Sequence, residues 1–359
     1  MKVFTPIIVF SCGLLVGCWH EDLSGFKFHQ TWKLNLDSIY SRPSRLATYF
    51  NVQTSPSGES FVTLRGIKND QMQFIISKIS ADGKVVKDFS KPLENDLIFP
   101  YGESSLSGGK LTVLYSTSSG YEKYILQLDE DLNVLKQTHF IPQPYFYPRF
   151  TPLGDYVYGA TYNNTYRLEK MDLTGNLVWS VPVESKQYPI VTISNRGTIL
   201  TTQSDIDTLG MVTSISIYGY NEDGKVVGKH IFNHLNGLKS QGCGSSGIQM
   251  AVAGLSGSLY LLGPNSPGNS YFSVSPGGEM IYAKTSPDHS IFYAEMDQGD
   301  LVYFNPFSLQ LVQLNRVGDP VWMTTLENLS LDNRGISLST DRGGNAYVLV
   351  SGLILQMKR

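Results

Sequence analysis

Residue types able to do chemistry are scattered along this chain, and their spacings mostly fail to bring them together. Gly242-Cys243-Gly244-Ser245-Ser246-Gly247 spells the GxGxxG pattern that can hold a dinucleotide pyrophosphate. That pattern works where a strand leads in and a helix leads out, so that a helix N-terminus faces the phosphates. Here residues 248–253 have the composition of a strand, and Leu262 and Gly263 stand where an acidic residue would bind the ribose, so the segment reads as a loop. His230 and His234 have the spacing of one helix face; on a strand they would lie about 13 Å apart, too far to share a metal. Asp129-Glu130-Asp131 and the run from Asp172 to Asn176 are acidic, yet neither has the calcium-loop ligand series ending in Glu, and both read as polar hairpin turns. GxSxG, HExxH and CxxC do not occur. Cys243 has no neighbouring His or Lys to lower its pKa and reads as an incidental thiol. We assign no catalytic residue, metal ligand or cofactor from the sequence.

The elements that would have to position any site are legible in a recurring phrase. Gly83-Lys84-Val85-Val86, Gly175-Asn176-Leu177-Val178-Trp179, Gly224-Lys225-Val226-Val227 and Gly318-Asp319-Pro320-Val321-Trp322 each follow an alternating run and precede another. Each is a tight turn plus a strand inside a repeated all-β unit. Two turn series interleave. Seven turns of one type fall at Gly58, Gly109, Gly154, Gly197, Gly257, Gly299 and Gly344. Six of the other fall at Gly83, Leu132, Gly175, Gly224, Gly277 and Gly318.

The missing seventh is accounted for if the last unit lacks its own fourth strand and the N-terminus supplies it. Thr31-Trp32-Lys33-Leu34-Asn35-Leu36 has the pattern of Val178-Trp179-Ser180-Val181-Pro182-Val183, with Trp at the same place. Pairing the first strand with the last three closes the ring and removes an exposed edge. The expected fold is therefore all-β, a β-propeller of seven four-stranded blades over residues 27–359, closed by the N-terminal strand. Composition agrees: 34 Gly serve turns, 21 Tyr and 17 Phe suit half-buried pleated surfaces, and charged residues are only 16%. About 60 residues separate Gly197 from Gly257, where neighbouring turns are about 42 to 51 apart, so blade five carries an insertion, assigned to residues 233–247.

An aromatic residue before Pro recurs ahead of the innermost strands: Phe99-Pro100-Tyr101, Tyr147-Pro148-Arg149 and Tyr188-Pro189-Ile190. Pro there restricts entry to the strand, and the ring packs against a neighbouring blade. The functional reading is a set of aromatics with Arg149 around the channel mouth, suited to a carbohydrate or an extended peptide. Tyr145-Phe146-Tyr147, between Pro144 and Pro148, is its richest segment. The candidate contact residues are thus Phe99, Tyr101, Tyr145, Phe146, Tyr147, Arg149 and Tyr188.

The N-terminus is a separate module. Lys2 precedes an apolar run from Val3 to Val16 that is too short and interrupted to span a bilayer as a helix. It ends in Leu15-Val16-Gly17-Cys18, which resembles a bacterial lipobox. The resemblance implies a signal peptide over 1–17, lipidation of Cys18, a tether over 18–26, and outer-membrane placement because Trp19 rather than Asp follows. Acyl chains contribute about 0.8 kcal/mol per methylene, enough for several to hold the chain on a membrane. The formal charge of -3 becomes about -4 once Lys2 leaves, which argues against a nucleic-acid partner.

The Gly-turn and Trp repeats, Asp172 to Trp179 above all, resemble those of PQQ-like bacterial propellers, in which turn and Trp dock neighbouring blades. Trp32, Trp179 and Trp322 keep the Trp, while Lys87, Lys136, Gly228 and Tyr282 stand near the same place in other repeats. The vicinal Cys pair and metal-binding residues of the quinoprotein dehydrogenases are not found, so no such cofactor is expected. In layout a lipidated propeller also resembles the outer-membrane β-barrel assembly component. The function expected from all this is an envelope lipoprotein acting as a non-enzymatic protein- or glycan-binding scaffold. The alternatives are a propeller enzyme, either a lyase or a glycan hydrolase, with its site at the channel mouth, and a purely structural surface protein.

Overall fold

The computed structural model describes residues 29–358, apart from 42–46, 94–98, 117–122, 141–147, 152–154, 163–164, 184–188, 194–197, 207–211, 234–249, 254–258, 264–268, 275–279, 287–291, 296–299, 328 and 330–334. The described residues form β1 (His29–Asn35), one short helix α1 (Asp37–Tyr40), and then strands in consecutive groups of four. Blade 1 is β2 (Thr48–Thr54), β3 (Ser60–Lys68), β4 (Gln71–Ile79) and β5 (Val85–Pro92). Blade 2 is β6 (Phe99–Ser107), β7 (Lys110–Ser116), β8 (Lys123–Asp129) and β9 (Val134–Phe140). Blade 3 is β10 (Arg149–Phe150), β11 (Tyr156–Tyr162), β12 (Thr165–Met171) and β13 (Leu177–Val183). Blade 4 is β14 (Ile190–Ile193), β15 (Ile199–Ile206), β16 (Val212–Tyr220) and β17 (Val226–Asn233). Blade 5 is β18 (Met250–Ala253), β19 (Leu259–Gly263), β20 (Asn269–Val274) and β21 (Met280–Ser286). Blade 6 is β22 (Phe292–Glu295), β23 (Leu301–Asn305), β24 (Gln310–Leu314) and β25 (Pro320–Thr325). The last group is β26 (Ile336–Thr340), β27 (Ala346–Val350) and β28 (Leu353–Lys358), and β1 completes it beside β28.

First strands of successive sheets lie against one another, β26 against β2, β2 against β6 and β10 against β14. They are the innermost strands, and the chain is a β-propeller. Apolar residues on alternating positions fill the seams: Phe61, Phe74, Leu111, Val113, Tyr115, Leu126 and Leu128 between blades 1 and 2, and Leu114, Ile125, Tyr156 and Tyr158 between blades 2 and 3. Because side chains of a strand alternate in direction, one strand such as β7 serves both of its neighbours.

The turn chemistry explains the recurring phrase. Gly83, Leu132, Gly175, Gly224 and Gly318 all have positive φ, between 58° and 85°. Each donates its N–H to the carbonyl three residues earlier, on Ser80, Asp129, Asp172, Asn221 and Asn315 respectively. The side chain of that earlier residue accepts the amide that follows the turn, as Asp172 does from Asn176 at 2.9 Å and Asn221 from Lys225 at 2.9 Å. A register shift then follows in each of these hairpins, between Lys170 and Met171 for example. This is a type I turn with a G1 bulge, in which a short polar residue opens the turn and the left-handed position favours Gly. The carboxylates of Asp129 and Asp172 are thus engaged with their own turns.

Closure occurs through β1. Trp32 pairs with Gln356 and Leu34 with Ile354. Thr31 Oγ1 donates to Gln356 Oε1 at 2.5 Å, Gln356 Nε2 to the Tyr347 hydroxyl at 2.6 Å, and that hydroxyl to Asp341 Oδ2 at 2.9 Å. The Trp32 ring then crosses to blade 1 and covers Gly83, where an added Cβ would stand 2.6 Å from Trp32 Cδ2. Its indole N–H donates to the Ala81 carbonyl at 2.9 Å. Trp179 repeats the arrangement on blade 4, over Gly224 and bonded to the Glu222 carbonyl at 2.7 Å. Trp322 meets a blade whose outer strand comes from the other end of the chain, so there is no hairpin turn to cover. It is buried among Val302, Leu326, Ala346, Val348 and Met357.

Candidate ligand-binding face

Strand direction separates the chemistry of the two ends of the propeller. Turns joining first to second and third to fourth strands lie at one end; connections between second and third strands, and between blades, lie at the other. At the second end, between blades 1 and 2, an aromatic row runs outward. Phe74 on β4 stacks on Tyr115 of β7 at 5.1 Å between centroids and Tyr115 on Tyr124 of β8 at 5.1 Å, and Tyr124 meets the tilted ring of His139 of β9 at 4.7 Å. Phe74 and Tyr115 are buried, Tyr124 is half-buried and His139 is exposed. Lys91, from β5, places its Nζ 5.6 Å from the Tyr115 ring centroid and 5.4 Å from that of Tyr124, and donates to the Tyr115 hydroxyl at 3.2 Å. Burial, with the neighbouring Tyr124 adding to it, pushes the Tyr115 phenol well above its ordinary pKa, so it remains neutral. A cation over two rings and a graded row of aromatic surface suit a sugar ring or an extended peptide, since both combine apolar faces with polar edges.

Part of the segment singled out from sequence pairs by its backbone with a strand of the row. Phe99, Pro100 and Tyr101 lie within β6 rather than ahead of it, because the strand begins at Phe99; the ladder then slips between Pro100 and Ser104. Pro is tolerated at such a strand start beside a bulge. Pro100 is the backbone partner of Tyr115, so this segment runs directly beside the aromatic row. Pro148 and Pro189 do precede their strands, β10 and β14, and both are buried. Arg149, on β10, directs its Nε to the Val191 carbonyl of β14 at 3.3 Å, tying two innermost strands together. Burial lowers its pKa. Tyr145, Phe146, Tyr147, Tyr188, Cys18, His234, Cys243 and most of the 233–247 insertion lie outside the described residues, as do the turns at Gly154, Gly197, Gly257, Gly277 and Gly299.

Two sets of residues had escaped the sequence reading. The aromatic row has a signal in the hairpin registers: the loop between β7 and β8 pairs Tyr115 with Tyr124, and the turn at Leu132 pairs Tyr124 with His139. The second set is a buried polar clasp repeated on third strands. Lys78 bonds Glu59 at 3.0 Å, Lys170 bonds Asp155 at 3.1 Å, and Gln313 Nε2 donates to Asp300 at 2.6 Å. Its signal is an acidic residue directly after Gly58, Gly154 and Gly299.

Several other acids are likewise held inside blades. Glu169 accepts from Tyr158 at 2.6 Å and Ser180 at 2.9 Å, and Asp88 pairs with Lys68 at 2.9 Å while accepting from Tyr40 at 2.7 Å. Such pairing satisfies buried charge and specifies a sheet register. Among the described residues no group of three or more His, Cys, Asp or Glu side chains is placed to hold a metal ion, and no helix is long and apolar enough to cross a membrane.

A scan against protein-family models finds no match, and a search of curated proteins finds no significant relative. Solved structures share the fold over nearly the whole chain. A catalytically inactive variant of virginiamycin B lyase from Staphylococcus aureus, solved with quinupristin, is similar with a TM-score of 0.60 at 15% identity, covering 91% of this chain and 98% of that one. A streptogramin B lyase structure gives 0.59 at 15% identity, covering 92% and 98%. The Dos1 propeller gives 0.51 at 12% identity, covering 94% and 95%. At these identities the likeness is one of fold, and it places the chain among the β-propellers.

Proposed function

We propose that this protein is an envelope lipoprotein whose propeller is a non-enzymatic scaffold that binds a protein or a glycan. The observation that carries the binding reading is the row Phe74–Tyr115–Tyr124–His139 with Lys91 across it, graded from buried to exposed. A buried base holds the outer rings in place, so a ligand meets a preorganised surface and loses little side-chain entropy on binding. The sequence between β9 and β10 contains Tyr145, Phe146 and Tyr147, the aromatic segment singled out above. The lipoprotein reading rests on Leu15-Val16-Gly17-Cys18 after its apolar run. By that reading Cys18 carries the acyl chains, the partners are an envelope protein or a glycan together with the membrane, and the location is the outer membrane.

The test is capture from solubilised source membranes with the wild-type chain and a Cys18→Ala form, reading proteins and glycans by mass spectrometry. The proposal expects membrane-fraction recovery to fall on Cys18→Ala while soluble material still retains its ligand. Turnover of a retained glycan or small molecule would replace the scaffold reading with the enzyme reading, which gains relevance from a fold shared with two lyase structures.

A further inference from the structure

The outer strands carry apolar side chains where edge strands of a soluble sheet are usually charged or covered. Immediately after its turn, each described outer strand of blades 1 to 4 stands apolar residues in solvent: Val86, then Val134 and Leu135, Leu177 and Val178, Val226 and Val227. The closing strand β1 has Gln30 and Thr31 at the same level. Scattered exposed apolar residues mean little, but here they recur at one height on the outermost described strands.

The strongest stretch crosses the seam between blades 2 and 3. Val134 and Leu135 on β9 are 51% and 49% exposed, Leu177 and Val178 on β13 are 53% and 52% exposed. Blades 2 and 3 meet beside these residues, where the buried Thr138 hydroxyl of β9 donates to the Leu173 carbonyl in the turn that leads into β13. Among the described residues both β9 and β13 pair on one side only, with β8 and β12, leaving backbone N–H and C=O groups along the outer edge. The adjoining turns carry Asp129, Glu130, Asp131 and Asp172. Lys78 and Lys87 lie against Asp131, one at 3.7 Å from its carboxylate and the other on its carbonyl, and Lys136 stands on β9. Lys87 also acts electrostatically on Asp129, and among the described residues no cation is within ion-pair distance of Glu130 or Asp172.

We propose that this rim, β9 and β13 with their two turns, docks an extended basic and apolar segment of a partner protein. Strand addition to an open edge supplies backbone hydrogen bonds, alternate side chains reach the apolar residues, and cations answer the acidic turns. Charge decides against the other occupants. A second copy would set these acids against its own, and a lipid surface could reach Leu135 and Val178 only by first burying the carboxylates at the turn tips. The rim is at the opposite end from the aromatic row, so the protein can hold a ligand and a partner at once.

The test uses defined peptides on the full chain. Labelled alternating Lys-Val, Lys-Ser and Glu-Val peptides are titrated at low and moderate salt, and hydrogen exchange maps the protected strands. The expected result is binding of Lys-Val alone, weakened by salt, with protection at residues 134–140 and 177–183. Leu135→Ser with Val178→Ser should cut affinity by about tenfold or more, and Glu130→Gln should weaken it less, both without a change in melting temperature. Failure of Lys-Val to bind, equal binding of Lys-Ser, or protection elsewhere would overturn the proposal. So would dimerisation, or binding to phosphatidylethanolamine vesicles, abolished by the Leu135→Ser and Val178→Ser pair.

Discussion

The seam between the last sheet, closed by β1, and blade 1 is plugged by a tryptophan, and the seam between blades 1 and 2 by a lysine at the same register position. Trp32 lies over Gly83 and bonds the Ala81 carbonyl; Lys87 reaches the Asp131 carbonyl and, at 3.3 Å, Asn133 Oδ1. The turns differ to match. Under an indole ring a side chain would collide, so the left-handed position must be Gly. Under a slender lysine it is Leu132, held at φ 58° and buried in the seam. Docking residue and turn residue therefore form one unit across two blades. The lysine seam is also the one whose other end carries the aromatic row, so the tryptophan seam invests in closing the ring while the lysine seam leaves its aromatic mass at the opposite face.

The largest way to break this comparison is Gly83→Val. It combines a left-handed φ of 83° with a Cβ 2.6 Å from Trp32, and should cost about 2 to 5 kcal/mol in denaturant unfolding with an unchanged m-value. Trp32→Ala should cost about 2 to 3 kcal/mol, less than a fully buried indole because the ring is half-exposed. Faster hydrogen exchange in β1 and β28 than in β3 and β4 would show that closure is what it supports. Lys87→Trp sharpens the rule: beside Leu132 it should destabilise, and combining it with Leu132→Gly should recover about 1 kcal/mol relative to the sum of the single changes. Strict additivity would mean that the two positions are independent.

The smallest effects concern single polar contacts. Tyr115→Phe removes the acceptor for Lys91 and should cost about 1 kcal/mol while leaving the ring stack in place. Partial burial raises the Asp172 pKa, but bonds from the Thr174 hydroxyl and the Asn176 amide outweigh it and hold the group at about 2. Because the folded value lies below the unfolded one, this contribution is full above the ordinary carboxylate range and is lost as pH falls toward 2. Exchange at the Asn176 amide should accelerate over that window, and Asp172→Asn should flatten the dependence.

Much of the fold was legible because it is written in local turn chemistry. The polar residue opening each turn, the left-handed residue three places on, and Leu132 standing in for Gly all lie within five residues of sequence. Closure by Thr31 to Leu36 was legible for a different reason: the segment repeats a Trp pattern whose partner was missing at the other end. The candidate face was less visible because stacking depends on register across hairpins and on which neighbour each strand face meets. Phe99 and Tyr101 were placed ahead of β6, since a proline at a strand start looks the same as one just before it. The bond from Arg149 to the next innermost strand was not legible, because nothing local shows that its guanidinium reaches Val191. The acid clasps were hidden by distance, 19 positions in the case of Glu59 and Lys78.

The most direct test of the binding account is equilibrium binding of a glycan and peptide panel to wild type and to Tyr124→Ala, His139→Ala and Lys91→Met forms, with product analysis of each bound ligand. The account predicts at least one ligand whose affinity falls about tenfold or more in these variants while the melting curve holds and the ligand is recovered unchanged. Retained affinity in all three variants, or recovery of a cleaved ligand, would contradict it.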